Sequence, residues 1–285
     1  MKKLLSFLLA ALLLVGTVLT LASCGEKRIR IAVPNDATNE ARALLLLEAQ
    51  GLIRLDPDAG LLATTRDIID NPYNIEFVEM EAAQLPRTLV DVDYAVINSN
   101  YAIPAGLNPT KDALGIENSY SAYSNILAVK AGNENSAKTR ALVAALSSER
   151  VKTYIGEHYA GAVIGVVGNT GDGYDATLDY AALSGTTITV AASPTPHAEI
   201  LAVAAEILGE KNITLDIREF TDYVQPNHVV ESGEIDANYF QHLPYLENFN
   251  SENGTHIVSV LAVHVEPMGI YSKKYTKLDN IKESK

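Results

Sequence analysis

The sequence predicts an α/β fold with two similar lobes. Three observations indicate it: strand patterns alternate with helical patterns, the alternation is interrupted by a glycine-rich stretch at 166–184, and it then restarts. Before the interruption, a strand at 28–33 leads into a helix at 38–50. After it, a strand at 186–192 leads into a helix at 197–208. Repeated β–α units predict parallel strands, whose carboxyl ends commonly form ligand sites.

Local signals support each of these elements. The helix at 38–50 has Asn35 or Asp36 available as a cap and ends before Gly51. Its run 44–47 is apolar on all sides, which predicts a buried helix. Thr195 is expected to cap the second helix. The other predicted strands lie at 74–79, 93–98, 125–130, 161–164, 214–220, 235–239, 257–264 and 269–272. The other predicted helices lie at 82–89, 137–159 and 225–231.

The N-terminus has the pattern of an export signal. Two lysines precede an unbroken apolar run at 4–21, and small residues follow directly before Cys24. This predicts a lipoprotein signal peptide at 1–23, lipid attachment to Cys24 and a tether at 24–27. A plain membrane anchor is the alternative, because the run is nearly long enough to span a bilayer.

Composition excludes several classes of function. The chain has 285 residues and a formal net charge of −13, which argues against nucleic-acid binding and against electrostatic attachment to anionic lipid. The single cysteine excludes an internal disulfide and a cysteine-based metal cluster. A phosphate loop, a nucleophile elbow and metal-ligand spacing are all missing, so we expect no cofactor and no metal.

The stretch 236–245 is the strongest candidate for a binding site. It contains three aromatic residues together with His242, Asn238 and Gln241. Aromatic rings offer apolar faces, while amides and imidazole both donate and accept hydrogen bonds. This mixture is typical of a small pocket that holds an apolar group and orients a polar one. Burial of the same aromatics in the core is the alternative.

Six stretches carry a family resemblance. They are 34–42, 96–98, 193–201, 221–227, 236–245 and 266–271. Together they resemble the methionine-binding lipoproteins, also called the NlpA lipoprotein family, which serve as substrate-binding proteins of methionine ABC importers. The resemblance implies a two-lobed, type II periplasmic-binding-protein fold. It also implies an extracytoplasmic, membrane-anchored protein whose partners are an ABC permease and its ATPase.

The order of the two halves differs from the family. Residues 28–164 resemble the family's later half, which forms lobe B and a returning segment of lobe A. Residues 186–285 resemble its earlier half, most of lobe A, and 165–185 reads as a glycine-rich linker. The chain therefore looks circularly permuted. A gene-assembly junction and a domain-swapped dimer are the alternatives.

The resemblance implies a set of ligand-binding residues. Arg42 is expected to pair with the carboxylate of methionine, and Asn98 is expected to accept from its ammonium, with Asn39 and Asn100 in support. Aromatic rings suit a thioether. The residues expected around the thioether are Tyr223, Phe240 and Tyr245, with His242 beside them. Two further motif residues, His197 and Met268, are interpreted as structural.

The resulting hypothesis is a lipid-anchored protein that captures methionine between two lobes and delivers it to an ABC importer. Another apolar amino acid or a methionine-containing dipeptide is an alternative ligand. A dehydratase-like enzyme on the same fold is a further alternative, with Arg42, His242 and Tyr223 as candidate acid–base groups. The last alternative is a product of gene rearrangement that no longer binds a ligand.

Overall fold

The computed structural model describes residues 28–118 and 123–283. The predicted signal peptide, the tether and Cys24 lie outside the described residues. The strands are β1 Arg30–Pro34, β2 Arg54–Leu55, β3 Ile68–Asp70, β4 Glu76–Met80, β5 Tyr94–Ile97, β6 Gly115–Ile116, β7 Ser124–Lys130, β8 Ile164–Gly165, β9 Thr187–Ala192, β10 Thr214–Glu219, β11 Ala237–His242, β12 Ile257–Val265 and β13 Gly269–Tyr271.

The helices pack against these strands. They are α1 Ala37–Ala49, α2 Leu85–Thr88, α3 Ser99–Ala102, α4 Pro109–Asp112, α5 Ala137–Leu146, α6 Glu149–Tyr159, α7 Tyr180–Leu183, α8 Glu199–Gly209, α9 Gln225–Glu231, α10 Leu243–Asn253 and α11 Asp279–Glu283. Within the described ranges, none of these helices combines the length and the apolar character that a membrane span requires.

One lobe is built on a sheet that has five strands in the described part of the chain, in the order β4-β1-β5-β13-β6. The strands β4, β1 and β5 are parallel, as the alternating pattern predicted. The strand β13 is antiparallel to both β5 and β6. The sheet is therefore mixed rather than wholly parallel, because β13 enters it between β5 and β6 in the antiparallel direction.

The other lobe has a six-stranded sheet among the described residues, in the order β10-β9-β11-β7-β12-β8. The strands β10, β9 and β11 are parallel, and β7, β12 and β8 continue the sheet in antiparallel fashion. In the five-stranded sheet β1 lies between β4 and β5, and in the six-stranded sheet β9 lies between β10 and β11. An antiparallel strand then follows in each sheet, β13 after β5 and β7 after β11. This shared order confirms the predicted similarity of the two units.

Two segments connect the lobes. The first runs from β6 to β7, and the second is the short stretch Glu266-Pro267-Met268 between β12 and β13. As a result, each half of the chain contributes strands to both sheets. The two sheets carry separate apolar cores, with Leu127 in one and Ile31 in the other. Lobes with separate cores and two short connections can move relative to each other.

The helix α1 forms as its sequence predicts. The carboxylate of Asp36 accepts a hydrogen bond from the backbone N–H of Asn39, and Gly51 follows the helix in a left-handed conformation. Leu44 and Leu47 are fully buried. The predicted burial of this helix is confirmed.

Two helix predictions were wrong in detail. The single helix at 137–159 is two helices, α5 and α6, because the hydroxyl of Ser148 accepts from the backbone N–H of Val151 and starts a new helix. Thr195 does not cap α8. Its hydroxyl donates to the Glu199 carboxylate (2.6 Å), and a wide turn at Pro194–Ala198 precedes the helix.

The glycine-rich stretch packs against the six-stranded lobe. Tyr174 donates to the carbonyl of Ile207 (3.1 Å), and the carboxylate of Asp175 pairs with Arg140 (2.6 Å). A Cβ built on Gly173, whose φ is +97°, would lie 2.7 Å from the Ile207 side chain. Composition suggested a flexible linker. The glycine instead permits a close approach to α8 in a backbone conformation that other residues rarely adopt.

Candidate functional site

A cavity lies between the lobes, with about 360 Å³ of empty space when the adjoining solvent is counted. Its lining combines amides, aromatic rings and charged groups. The lining residues are Asn39, Arg42, Asn98, Ser99, Asn100, Asn125, Tyr223, Phe240, Gln241, His242, Tyr245 and Glu266. All eight residues that sequence reasoning selected as ligand-binding are among them. The structure thus brings them together, while their contact with a ligand stays a prediction.

The ends of the parallel strands position these side chains. Asn98 directly follows β5, and His242 is the last residue of β11. Asn39 and Arg42 lie in the first turns of α1, which begins where β1 ends. Since parallel strands place their carboxyl ends at one edge of a sheet, both lobes present polar residues to the same cleft.

The side-chain amide of Asn39 joins the two lobes. Its nitrogen donates to both carboxylate oxygens of Asp36 (2.9 and 3.1 Å), which fixes the orientation of the amide. Its oxygen accepts from the amide of Asn98 (2.8 Å) and from Nε2 of His242 (3.3 Å), which belongs to the other lobe. Asn39 therefore uses its side-chain oxygen in a contact between the lobes, and the ligand contact that the sequence suggested for it stays a prediction.

Two neighbouring amides keep atoms available. Asn98 donates through its nitrogen, and its Oδ1 is buried without a partner in the described structure. Asn100 accepts from the hydroxyl of Tyr223 across the cleft (2.7 Å), and its Nδ2 is likewise buried and unpaired among the described groups. Unsatisfied buried polar atoms are costly, so their presence at a cavity indicates a polar ligand or water.

Aromatic rings also line the cavity. The rings of Tyr223, Phe240 and Tyr245 lie at mutual centroid distances of 5.9–6.1 Å. Tyr245 donates from its hydroxyl to the carbonyl of Tyr223 (2.9 Å), which fixes two of the three rings relative to each other. These residues form a compact apolar cluster with Phe249 behind it.

Arg42 has a partner that the sequence did not reveal. Its Nε lies 3.0 and 3.2 Å from the two carboxylate oxygens of Glu117, and its Nη2 lies 2.6 Å from the second. Nη2 also donates to the carbonyl of Glu266 (2.8 Å). Nη1 is the nitrogen without a described partner. The predicted contact of Arg42 with a ligand carboxylate stays a prediction, and the structure adds that Glu117 already balances the charge of the guanidinium.

A second buried network lies beside the cavity. His264 donates from Nε2 to the carboxylate of Glu266 (2.8 Å), and the hydroxyl of Tyr239 bonds its Nδ1. His197 donates to the side-chain oxygen of Asn125 (2.9 Å). The side chains of His197, His264 and Glu266, all within the described residues, lie close enough together to hold a metal ion. Nε2 of His197 and Nε2 of His264 are each hydrogen-bonded to a side-chain oxygen, so these residues form a hydrogen-bonded network.

Burial sets the protonation of this region. It lowers the pKa of His197, His242 and His264 to about 3 each, so these rings are neutral. Burial also raises the pKa of Glu266 to about 7. The nearby guanidinium of Arg42 adds to the depression at His242. The cavity is therefore lined mainly by oriented dipoles and has few free charges.

Sequence reasoning selected neither Glu117, the partner of Arg42, nor four of the residues that line the cavity. Glu117 stands in no recognisable motif, so nothing short of the fold could connect it with Arg42. Glu266 belongs to the 266–271 stretch that carried the resemblance, and Gln241 lies in the 236–245 stretch. Both could have been selected from those signals. Ser99 is the first residue of α3, and Asn125 lies near the start of β7. Neither residue was selected from the sequence as a candidate for the site.

Comparison with known proteins identifies the family. The sequence profile of the NlpA lipoproteins matches residues 22–167 and 188–285. The chain belongs to the NlpA lipoprotein family. The membership confirms the resemblance on which the site residues were chosen.

Curated NlpA relatives match over part of their length. Membrane lipoprotein TpN32 of Treponema pallidum is 51% identical over 134 residues, which is 47% of this chain and 50% of that protein. The D-methionine-binding lipoprotein MetQ of Escherichia coli is 44% identical over 124 residues, 43% of this chain and 46% of MetQ. In each alignment, the chain spans about half the length of the curated relative it matches.

Solved structures of similar proteins match over similar fractions. Lipoprotein Tp32 of Treponema pallidum has 49% identity and a TM-score of 0.46, covering 49% of this chain and 58% of that one. A nutrient-binding protein of Burkholderia cenocepacia, solved with methionine bound, has 45% identity and a TM-score of 0.46, covering 49% and 59%.

The buried Glu266 carboxyl predicts a pH-dependent stability. Its pKa is raised above 4.5 to about 7 in the folded state, so the stability it contributes is present at low pH and is lost as pH rises toward 7. Relative to Glu266→Gln, the wild-type protein should gain about 2 kcal/mol of unfolding free energy between pH 8 and pH 5. Urea titrations at both pH values measure it.

Glu247→Gln, at an exposed position of α10, is the matched control. It should change the free energy of unfolding by the same small amount at both pH values. Equal pH dependence of the wild-type protein and Glu266→Gln would show that the Glu266 carboxyl is ionised in the folded state.

Proposed function

We propose that this protein captures methionine in the cavity between its lobes and delivers it to an ABC importer. The observation that carries the proposal is the division of the cavity into two ends. One end has an unpaired acceptor on Asn98 and an unpaired donor on Asn100. The other end is the cluster of Tyr223, Phe240 and Tyr245. A zwitterion with an apolar side chain matches this division.

The polar end suits an α-amino acid. An ammonium group donates hydrogen bonds, which the buried Oδ1 of Asn98 accepts. A carboxylate accepts them, from Nδ2 of Asn100 and from Nη1 of Arg42. Because Glu117 already balances the charge of Arg42, a ligand with no net charge leaves the site without an uncompensated ion.

The apolar end suits a thioether. Sulfur makes favourable contacts with aromatic rings, each worth about 0.3–1.5 kcal/mol. The names of the curated relatives support methionine over other apolar amino acids.

Binding fits the site better than catalysis. A general base needs a pKa near the working pH. Burial lowers the pKa of His242 to about 3, and both ring nitrogens are engaged, one by Asn39 and one by the backbone of Tyr245. The hydroxyl of Tyr223 donates to Asn100. His242 and Tyr223 therefore do not act as free acid–base groups, and Glu266, whose pKa is about 7, is already hydrogen-bonded to His264.

The location and the partners follow from the same proposal. A lipid on Cys24 holds the protein on the extracytoplasmic face of the membrane, close to the permease and ATPase that import the ligand. Two connecting segments permit the lobes to close, and a ligand that touches both lobes favours the closed state by its additional contacts there.

The order of the halves is part of the proposal. We infer a circularly permuted monomer, supported by a family match in two separate segments and by strands from each half in both sheets. Light scattering coupled to size-exclusion chromatography should give a mass near 30.7 kDa for the full chain, less the signal peptide. A stable dimer that loses ligand binding on dilution would favour a domain swap.

Ligand recognition is tested by thermal and chemical stability. At about 100 times its dissociation constant, methionine should add roughly 2.7 kcal/mol to the free energy of unfolding. Methioninol, which lacks the carboxylate, should add much less at the same concentration. The panel includes both enantiomers, leucine and a methionine-containing dipeptide. A larger effect of leucine or of the dipeptide would reassign the ligand, and no effect of any compound would refute binding.

The aromatic end is tested by a matched pair of substitutions. Phe240 lines the cavity, whereas Phe249 packs in the same cluster behind it, and both are buried. Phe240→Leu and Phe249→Leu should therefore lower stability to a similar extent. Phe240→Leu should in addition weaken methionine binding by about two- to tenfold, the value of one sulfur–aromatic contact. Calorimetric titration of both variants makes the comparison, and equal affinities would exclude contact with Phe240.

A further inference from the structure

The Arg42–Glu117 ion pair touches both segments that connect the lobes. Glu117 lies just after β6, at the start of the first segment, and binds the guanidinium through three contacts of 2.6–3.2 Å. Glu266 opens the second segment, and its carbonyl accepts from Nη2. The backbone N–H of Met268 donates to the Glu117 carboxylate (3.2 Å). One guanidinium and one carboxylate therefore join α1 to both connections.

The guanidinium is held on a further side by an aromatic ring. Its central carbon lies 4.4 Å from the ring centroid of Tyr123, directly before the first strand of the other lobe. The side chains of Arg42 and Glu117 are only 6% and 11% exposed. A buried ion pair contributes little net stability, because desolvation offsets the attraction. What the pair does provide is a fixed orientation, with Nη1 as the nitrogen that has no partner among the described residues.

We propose that Glu117 determines the specificity of the site for zwitterions and positions Arg42 for the ligand carboxylate. This inference rests on the proposed function. Glu117 cancels the charge of Arg42, so the ligand carboxylate is held by a directed hydrogen bond rather than by a surplus positive charge. A carboxylate that lacks an ammonium group would bring an uncompensated negative charge into the buried site, which is unfavourable. Methionine brings both charges.

The test compares methionine with 4-(methylthio)butanoate, the same molecule without its ammonium group. Calorimetric titration gives the ratio of their affinities for the wild-type protein, for Glu117→Gln and for Glu117→Asp. Glu117→Gln leaves the charge of Arg42 uncancelled, so the preference for methionine should fall by about tenfold or more. Glu117→Asp keeps the charge but is one methylene shorter. It should preserve the preference and weaken methionine binding by about tenfold.

Glu206→Gln is the matched control, because Glu206 forms an exposed ion pair with Arg150. It should alter neither affinity. An unchanged ratio in Glu117→Gln would overturn the inference. Should that variant fail to fold, Glu117→Asp decides, since wild-type affinities for both ligands would exclude a positioning role. Failure of the wild-type protein to bind any amino acid would instead refute the proposed function, so the two failures are distinguishable.

Discussion

The amide of Asn39 is the contact on which the geometry of the cleft depends. A side-chain amide has a donor end and an acceptor end, and the carboxylate of Asp36 takes the donor end completely. The acceptor end is then directed at Asn98 in the same lobe and at His242 in the other. Reversal of the amide would place hydrogens against these two donors. This fixed orientation provides one of the hydrogen bonds between the lobes, beside that of Tyr223 to Asn100.

The consequences extend to the free atoms of the cavity. Because the nitrogen of Asn98 is used by Asn39, its oxygen is the atom left for a ligand. In the same way Tyr223 occupies the oxygen of Asn100 and leaves its nitrogen. The contacts that close the cleft also decide which ends of the amides face the cavity. The contacts between the lobes thus determine which amide atoms are left unpaired.

Neutrality is the second property of the site. Burial keeps the three histidines uncharged and favours the protonated form of Glu266 below about pH 7. Arg42 is balanced by Glu117. A buried region whose charges are mostly removed or paired favours a net-neutral guest over an ion. The net charge of −13 therefore does not by itself set the charge of the cavity.

Much of the fold was predictable from local pattern. The alternation of strands and helices predicted the parallel cores, and the repeated unit predicted the shared strand order of the two lobes. The break at Ser148 was missed because apolar periodicity continues through it, although its hydroxyl caps a new helix. Glycine content suggested a free linker at 166–184, while Tyr174 and Asp175 attach that stretch to α5 and α8. Periodicity reports burial and does not report such single contacts.

The sequence by itself determined the fold class, the family and the eight candidate residues that line one cavity. These depend on local patterns and short motifs, which are legible along the chain. Only the tertiary structure decided which atoms of those residues are free, that Arg42 is paired with Glu117, and that Asn39 joins the lobes. The reason is physical: hydrogen-bond partners 59, 75 and 203 positions apart are selected by the folded arrangement, and no local pattern encodes them.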